Sequence, residues 1–202
     1  MALSFSPKEA KVLLRQLDDI QRQQDELLRL AEQYRADAEK QTRGMLSYRA
    51  TENLVQDEVL RGKDNSAGLR DADALVTDII RLHRLLPAQR QCRALAHAHQ
   101  AEAKQIKAQL SSCTGGLRRL FASSAKKQEG EQAYTALQAL LGSEYASQTV
   151  ALAAEANAVK QITPAAAWQM WSEDRGAYHE TARQALAGVS DSGSVSAFDA
   201  LL

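Results

Sequence analysis

The amino-acid sequence predicts an all-α fold, in which a long antiparallel coiled-coil hairpin carries a smaller C-terminal helical subdomain and a flexible C-terminal tail. Three observations support this prediction. Between Pro7 and Arg61 the chain has no further proline, and its apolar residues recur at helical spacing. Alanine, the residue with the highest helix propensity, occupies 36 of the 202 positions, against ten glycines and three prolines. No segment alternates apolar and polar residues between turn signals, as a half-buried strand would.

The first predicted helix begins at Pro7 and runs to Arg61. Ser6 is a typical N-cap residue, proline is favoured at the first helical position, and Glu9 can bond back to the cap. A seam at spacings of four and three follows the helix, and its polar members are expected to specify register or oligomeric state. The seam positions are Leu13, Leu17, Ile20, Gln24, Leu27, Ala31, Tyr34, Ala38, Gln41, Met45, Tyr48, Glu52, Val55 and Val59.

A hairpin turn is predicted at residues 62–68, where glycine, asparagine and serine interrupt the helical pattern. The chain then returns as an amphipathic helix from Leu69 to Leu86, antiparallel to the second half of the first helix. At Pro87 the helix either kinks or gives way to a new helix at a short corner. The apolar pattern continues beyond this proline, so the predicted hairpin covers residues 1–112.

The C-terminal subdomain is predicted to cover residues 113–188. It opens with a break at residues 113–116, followed by a short basic helix and by a linker over residues 123–130. An alanine-rich helix over residues 131–162 is expected to stop and restart at Gly142.

A last helix is predicted to begin with Thr163 as its N-cap and Pro164 at its first position, and to fade at Gly188. It carries Trp168 and Trp171, the two tryptophans of an aromatic-poor chain, on one helix face. These rings are either the core of the subdomain or the anchors of a partner-binding patch.

Residues 189–202 are rich in serine and glycine and are predicted to form the flexible tail. Its apolar residues Phe198, Leu201 and Leu202 either form a short linear motif that orders on binding a partner, or belong to a frayed terminus.

The net charge is zero, but the charges are unevenly distributed along the chain. Residues 81–127 hold ten lysines or arginines and one acid, a formal charge of +9, whereas residues 128–202 hold nine acids and three basic residues, a charge of −6. The basic segment either neutralises phosphates or packs against the acidic C-terminal third or a partner's acidic surface. The residues singled out for binding an anionic partner are Arg118, Arg119, Lys126 and Lys127.

No motif for catalysis, nucleotide binding or metal binding occurs, and we expect neither enzymatic activity nor a cofactor. His97 and His99 point to different sides of a helix, and Cys92 and Cys113 are too few for a disulfide framework or a metal knuckle. The first residues lack the pattern of a secretory signal, and no apolar run would span a bilayer. We therefore expect a cytoplasmic protein, or a periplasmic or extracellular one if a signal peptide has been removed.

The run from Ala136 to Gln148, ALQALLGSEYASQ, resembles a segment of the minor pilins of conjugative type IV secretion systems. This resemblance implies a structural or adhesive component of an exported apparatus, and again not an enzyme. It is one alternative to the main hypothesis, a non-enzymatic helical scaffold or assembly subunit that acts through protein partners or self-association. The other alternative is a nucleic-acid-associated protein that uses residues 81–127.

Overall fold

The structure, a computed structural model, describes residues 3–54, 66–114 and 123–187, with side chains at 3–43, 73–113 and 123–187. Within those residues the chain forms six helices and no strand, which confirms the predicted all-α class. That the long helices form a coiled-coil hairpin is a more detailed claim than the fold class, and it stays a prediction. The helices are α1 (Pro7–Leu54), α2 (Ser66–Thr114), α3 (Ser124–Leu141), α4 (Glu144–Lys160), α5 (Pro164–Glu173) and α6 (Arg175–Ala185).

Three predicted features lie outside the described residues. They are most of the hairpin turn, the glycine pair of the second break with the short basic helix after it, and the C-terminal tail. Their positions are 62–65, 115–122 and 189–202.

The start of α1 confirms the predicted capping box. The backbone N–H of Glu9 donates to Ser6 Oγ at 3.2 Å, and the backbone N–H of Ser6 donates to Glu9 Oε2 at 2.7 Å. These two bonds satisfy amides that a helix end otherwise leaves without a partner. The pKa of the Glu9 carboxyl is lowered, first by the hydrogen bond from the backbone N–H of Ser6 and then by the Ser6 hydroxyl.

The predicted seam of α1 is its buried face wherever the side chains are described. Leu13 and Gln41, at the two ends of this stretch, are half-buried. The positions between them are at most 8% exposed, so the spacing of four and three predicted the buried face correctly. These buried positions are Leu17, Ile20, Gln24, Leu27, Ala31, Tyr34 and Ala38.

α2 corrects one expectation and excludes one of two alternatives. The helix already includes residues 66–68, which were predicted to be loop, because a serine and a glycine are tolerated in a first turn whose amides need no helical partner. It also passes through Pro87 without interruption, which excludes a new helix at a corner. A proline inside a helix removes one backbone hydrogen bond. Leu85 and Ala88, 0% and 2% exposed on either side of it, hold the helix by their burial.

The predicted linker over residues 123–130 is wrong, since α3 begins at Ser124. Ser123 is its N-cap, and its side chain accepts a hydrogen bond from the backbone N–H of Lys126. Gly130 is buried within α3, where a Cβ atom would lie 2.9 Å from Sγ of Cys113. This glycine therefore permits a close approach to the end of α2 and does not mark a flexible segment.

The C-terminal boundaries are partly as predicted. The break at Gly142 and the cap at Thr163 are confirmed, with Thr163 Oγ1 accepting from the N–H of Ala166 at 3.3 Å. The single last helix is wrong, because α5 and α6 are separated at Asp174. The Asp174 carboxylate accepts from the N–H of Ala177 at 3.2 Å, and aspartate favours such a cap over a helix interior.

Contacts divide the chain into two compact units. The described residues of unit 1 belong to Met1–Leu28 and Gln89–Glu155, and those of unit 2 to Arg29–Ala88 and Ala156–Leu202. Each unit therefore combines parts of the predicted hairpin with parts of the predicted C-terminal subdomain. The predicted domain boundary between residues 112 and 113 stays a prediction.

The core of unit 1 joins the first residues of the chain to α1, α2, α3 and the start of α4. The ring of Phe5 stacks on that of Tyr134 with centroids 4.3 Å apart, which ties the N-terminal segment to α3. The buried members of this core are Phe5, Ala10, Leu17, Ile20, Ala103, Ile106, Leu110, Ala133, Leu137, Leu140 and Tyr145.

The core of unit 2 is built mainly from α2, α5 and α6. Nearly continuous burial from Leu75 to Leu82 shows that this part of α2 is surrounded by other side chains. The apolar residues of this unit that are exposed to 2% or less are Leu75, Val76, Ile79, Ile80, Leu82, Leu85, Ala88, Ala167, Trp171, Ala182, Leu186, Ala31 and Ala38.

Candidate functional site

The first polar cluster of the molecule lies in unit 1 around Gln24, one of the polar seam positions, and we call it the Gln24 network. Gln24 is 4% exposed. Its Nε2 donates to Thr149 Oγ1 at 2.9 Å, and its Oε1 accepts from the Tyr145 hydroxyl at 3.2 Å. Thr149 in turn donates to the carbonyl of Tyr145 at 2.8 Å. Both ends of the amide are therefore bonded to α4, which sets the register of α1 against that helix.

The thiol of Cys92 belongs to the same network. It donates to the backbone carbonyl of Gln24 at 3.7 Å. Burial raises the pKa of this thiol, and the nearby carboxylate of Asp25 raises it further. Burial likewise raises the pKa of the Tyr145 hydroxyl. A thiol and a phenol held protonated in this way act as hydrogen-bond donors, and neither is activated as a nucleophile.

The second polar cluster lies in unit 2, and we call it the Arg81 network. The carboxylate of Asp78 accepts from Gln41 Nε2 at 2.9 Å and forms an ion pair with the Arg81 guanidinium at 3.5 Å. Asp78 is 7% exposed. Burial raises its pKa, although Gln41 and Arg81 both favour the ionised form and oppose the change.

Arg81 also caps the C-terminal end of α4. Its Nη2 donates to the carbonyl of Ile162 at 2.7 Å and to that of Lys160 at 3.4 Å. These carbonyls lie at or just beyond the C-terminus of α4, where helices leave acceptors unsatisfied and attract positive charge. The guanidinium carbon stands 5.6 Å from the centre of the Tyr34 ring, within cation–π range. One side chain thus connects α1, α2 and the end of α4 within this unit.

A third group surrounds His83 on α2. Its Nδ1 lies 2.7 Å from Thr181 Oγ1 on α6. Since Thr181 donates its own proton to the carbonyl of Ala177, its oxygen accepts from His83. The rings of His83 and Tyr178 meet edge to face at 4.9 Å. Burial lowers the pKa of His83 more than the carboxylate of Asp174 raises it. The neutral imidazole therefore holds α6 on α2.

The predicted partner-binding tryptophans have different environments. Trp171 is 1% exposed and its ring lies over that of Tyr178 at 5.9 Å, in the core of unit 2. Trp168 is half-buried, and its Nε1 donates to the Asp73 carboxylate at 2.7 Å. Only Trp168 is thus accessible to a partner, and partner binding there stays a prediction. The other predicted partner-binding residues, Phe198, Leu201 and Leu202, lie outside the described residues.

The predicted anion-binding residues are partly described. Lys126 is exposed and Lys127 half-buried in the first turn of α3. Arg118 and Arg119 lie outside the described residues, so whether the four side chains meet stays a prediction.

The described basic residues of the wider segment, 81–127, have different environments. Arg81 is used inside unit 2, and Lys107 Nζ pairs with the Asp18 carboxylate of α1 at 2.5 Å in unit 1. Arg84, Arg90 and Lys104 are exposed. All three lie on α2, Arg84 in unit 2 and the other two in unit 1.

The Arg81 network is the feature that sequence reasoning missed. Asp78 and Arg81 are three residues apart on one helix, and Gln41 interrupts the seam of another, which is a recognisable signal of a buried polar contact. Nothing in the sequence indicates that these residues meet.

Over residues 3–54, 66–114 and 123–187, no group of three His, Cys, Asp or Glu side chains is arranged to hold a metal ion. No helix in the same part of the chain is long and apolar enough to cross a bilayer. Comparison with protein-family models, curated proteins and solved structures finds no match to the chain.

Proposed function

We propose that this protein is a non-enzymatic helical scaffold, a subunit that acts through protein contacts in a larger assembly. The observation that carries the proposal is the use of buried and half-buried polar side chains on α1 and α2. Gln24 bonds to α4, Gln41 bonds to α2, and Arg81 bonds to the end of α4. These groups hold helices in register. Polar groups that converge on a concave pocket would instead favour a small-molecule site.

Photo-crosslinking in the protein's own cells tests this role, with a small diazirine-bearing aliphatic amino acid in place of a valine. Val150 on α4 is 54% exposed, and Val159 on the same helix is 4% exposed and serves as the matched control. A scaffold should give discrete protein adducts from Val150 and none from Val159. Sedimentation velocity over about 1 to 100 μM protein would show whether the adduct is a second copy of the chain.

Adducts that nuclease removes would favour the nucleic-acid alternative over the scaffold. The same alternative predicts binding to labelled DNA or RNA at about 50 mM salt that weakens by orders of magnitude at about 200 mM. A monomer that gives no adduct from Val150 and binds neither DNA nor RNA would contradict both.

A further inference from the structure

The surface of α2 within unit 1 carries an exposed column of basic side chains. Arg90, His97 and Lys104 follow one another at intervals of seven residues, and all three are exposed. Seven residues make almost two turns, so the three side chains lie along one line at intervals of about 10 Å. Among the described residues, no ion pair involves Arg90 or Lys104.

A second column runs beside the first. Ala94, Ala101 and Ala108 also recur at intervals of seven residues and are exposed. Alanine side chains let another helix approach closely, because no long side chain has to be displaced. We call the two columns together the outer face of α2.

The only acid of α2 within unit 1 does not belong to this face. It is Glu102, whose carboxylate lies 3.3 Å from Nδ1 of His99. Lys107 shows how a neighbouring basic residue is accommodated inside the unit, since it pairs with Asp18 on α1. The outer face has the same kind of charge and is exposed.

We propose that the outer face of α2 docks a helix of another protein, one that carries acidic side chains at seven-residue intervals beside a stripe of small residues. The proposal rests on the scaffold role and specifies the chemistry of the partner. Carboxylates at that interval would stand opposite Arg90 and Lys104 while the small residues meet the alanine column. A second copy of this face is a poorer match, because an antiparallel pair would place Arg90 beside the Lys104 of the other copy.

A synthetic peptide is the probe. It is a helix of about four heptads with alanine along its contact stripe and glutamate at the flanking positions. Binding to the full-length chain is measured by fluorescence anisotropy at about 50 and 150 mM salt. We expect the double variant Arg90→Glu/Lys104→Glu to weaken binding at least about tenfold, since two attractive pairs become repulsive. The same peptide with lysine in place of glutamate should bind this double variant better than it binds the wild type.

Two controls separate helix docking from general attraction. Lys8→Glu/Arg15→Glu makes the same charge change at exposed positions of α1 in unit 1, and should leave affinity within about twofold. Ala101→Trp leaves the charge unchanged but obstructs the alanine column, and should weaken binding at least about tenfold. Circular dichroism verifies that every variant keeps the helix content of the wild type.

Several results would overturn the proposal. They are the absence of binding by the glutamate peptide, equal losses in both charge-reversed double variants, and an Ala101→Trp variant that binds normally. Competition by a short DNA duplex, lost in Arg90→Glu/Lys104→Glu, would assign the face to phosphate binding and refute the acidic helix. Protein adducts that persist at Val150 would still leave the scaffold role standing, so the two proposals fail separately.

Discussion

Replacing Arg81 with methionine is expected to lower the free energy of unfolding by about 3 kcal/mol, because it leaves the Asp78 carboxylate buried without its cation. Methionine replaces much of the apolar stem of arginine and lacks the guanidinium group. The change removes the ion pair at 3.5 Å and the bond to the carbonyl of Ile162 at 2.7 Å. Arg81 is 24% exposed, which places the loss at the low end of the about 3–5 kcal/mol observed for broken buried pairs.

The loss should depend on pH in a direction fixed by Asp78. Burial already raises the pKa of this carboxyl in the folded protein, and removing Arg81 takes away one of the groups that oppose the increase. A folded-state pKa above the unfolded one means that stability is greatest below the unfolded pKa and is lost as pH rises through the folded pKa. The deficit of Arg81→Met should therefore be smaller at about pH 4.5 than at pH 7.

Urea unfolding followed by circular dichroism measures both effects. The matched variant is Arg81→Met/Asp78→Asn, which removes the buried charge together with its cation. This double variant should regain about half of the unfolding free energy that Arg81→Met loses. The difference in stability between the double variant and Asp78→Asn alone should no longer change with pH. A double variant as unstable as Arg81→Met, with the same pH dependence, would refute the assignment of the effect to an unpaired Asp78 carboxylate.

Three further changes test the packing of each unit. Leu27→Asp, at a position 2% exposed, should cost at least about 4 kcal/mol and lower the melting temperature sharply. Val12→Asp, at a position of the same helix that is 53% exposed, should change stability by less than about 0.5 kcal/mol, and an unchanged melting temperature for Leu27→Asp would show that the seam is wrong. Gly130→Ala should destabilise by about 1–2 kcal/mol because its Cβ would lie 2.9 Å from the Cys113 sulfur. The change should cost less in a Cys113→Ala background, and a Gly130→Ala protein with a raised melting temperature would contradict the close contact. Because burial lowers the pKa of His83, its contribution is present above the unfolded pKa of about 6.5 and is lost as pH falls below it. Wild type should thus lose more stability than His83→Gln between about pH 7.5 and 5.5 in thermal unfolding, and equal losses would argue against this group.

Local features of the fold were predictable because each depends on neighbouring residues. Ser6, Pro7 and Glu9 define the start of α1 by short-range hydrogen bonds, and Thr163 does the same for α5. The buried face of α1 follows from helical periodicity. The break at Gly142 follows from the place of a glycine between two strongly helical segments.

The errors at residues 123–130 and at Asp174 have a common origin. Gly130 weakens a helix by itself, but in α3 it lies against Cys113, seventeen residues earlier in the chain. Asp174 suits either an exposed helix position or an N-cap. Which of the two occurs depends on where the chain must turn to bury Trp171 and Tyr178, and both rings are at most 8% exposed. Local propensity does not contain that information.

For the candidate sites as well, some features follow from the sequence and others only from the packing. The sequence by itself determined that Gln24 and Gln41 interrupt an apolar seam, that positive charge is concentrated in residues 81–127, and that the chain is helical. Only the tertiary structure decided that Gln24 meets Thr149 and that Arg81 binds Asp78 and the end of α4. The physical reason is range: periodicity and capping act within a few residues, whereas a buried polar group is satisfied by whichever partner the packing of distant segments brings to it.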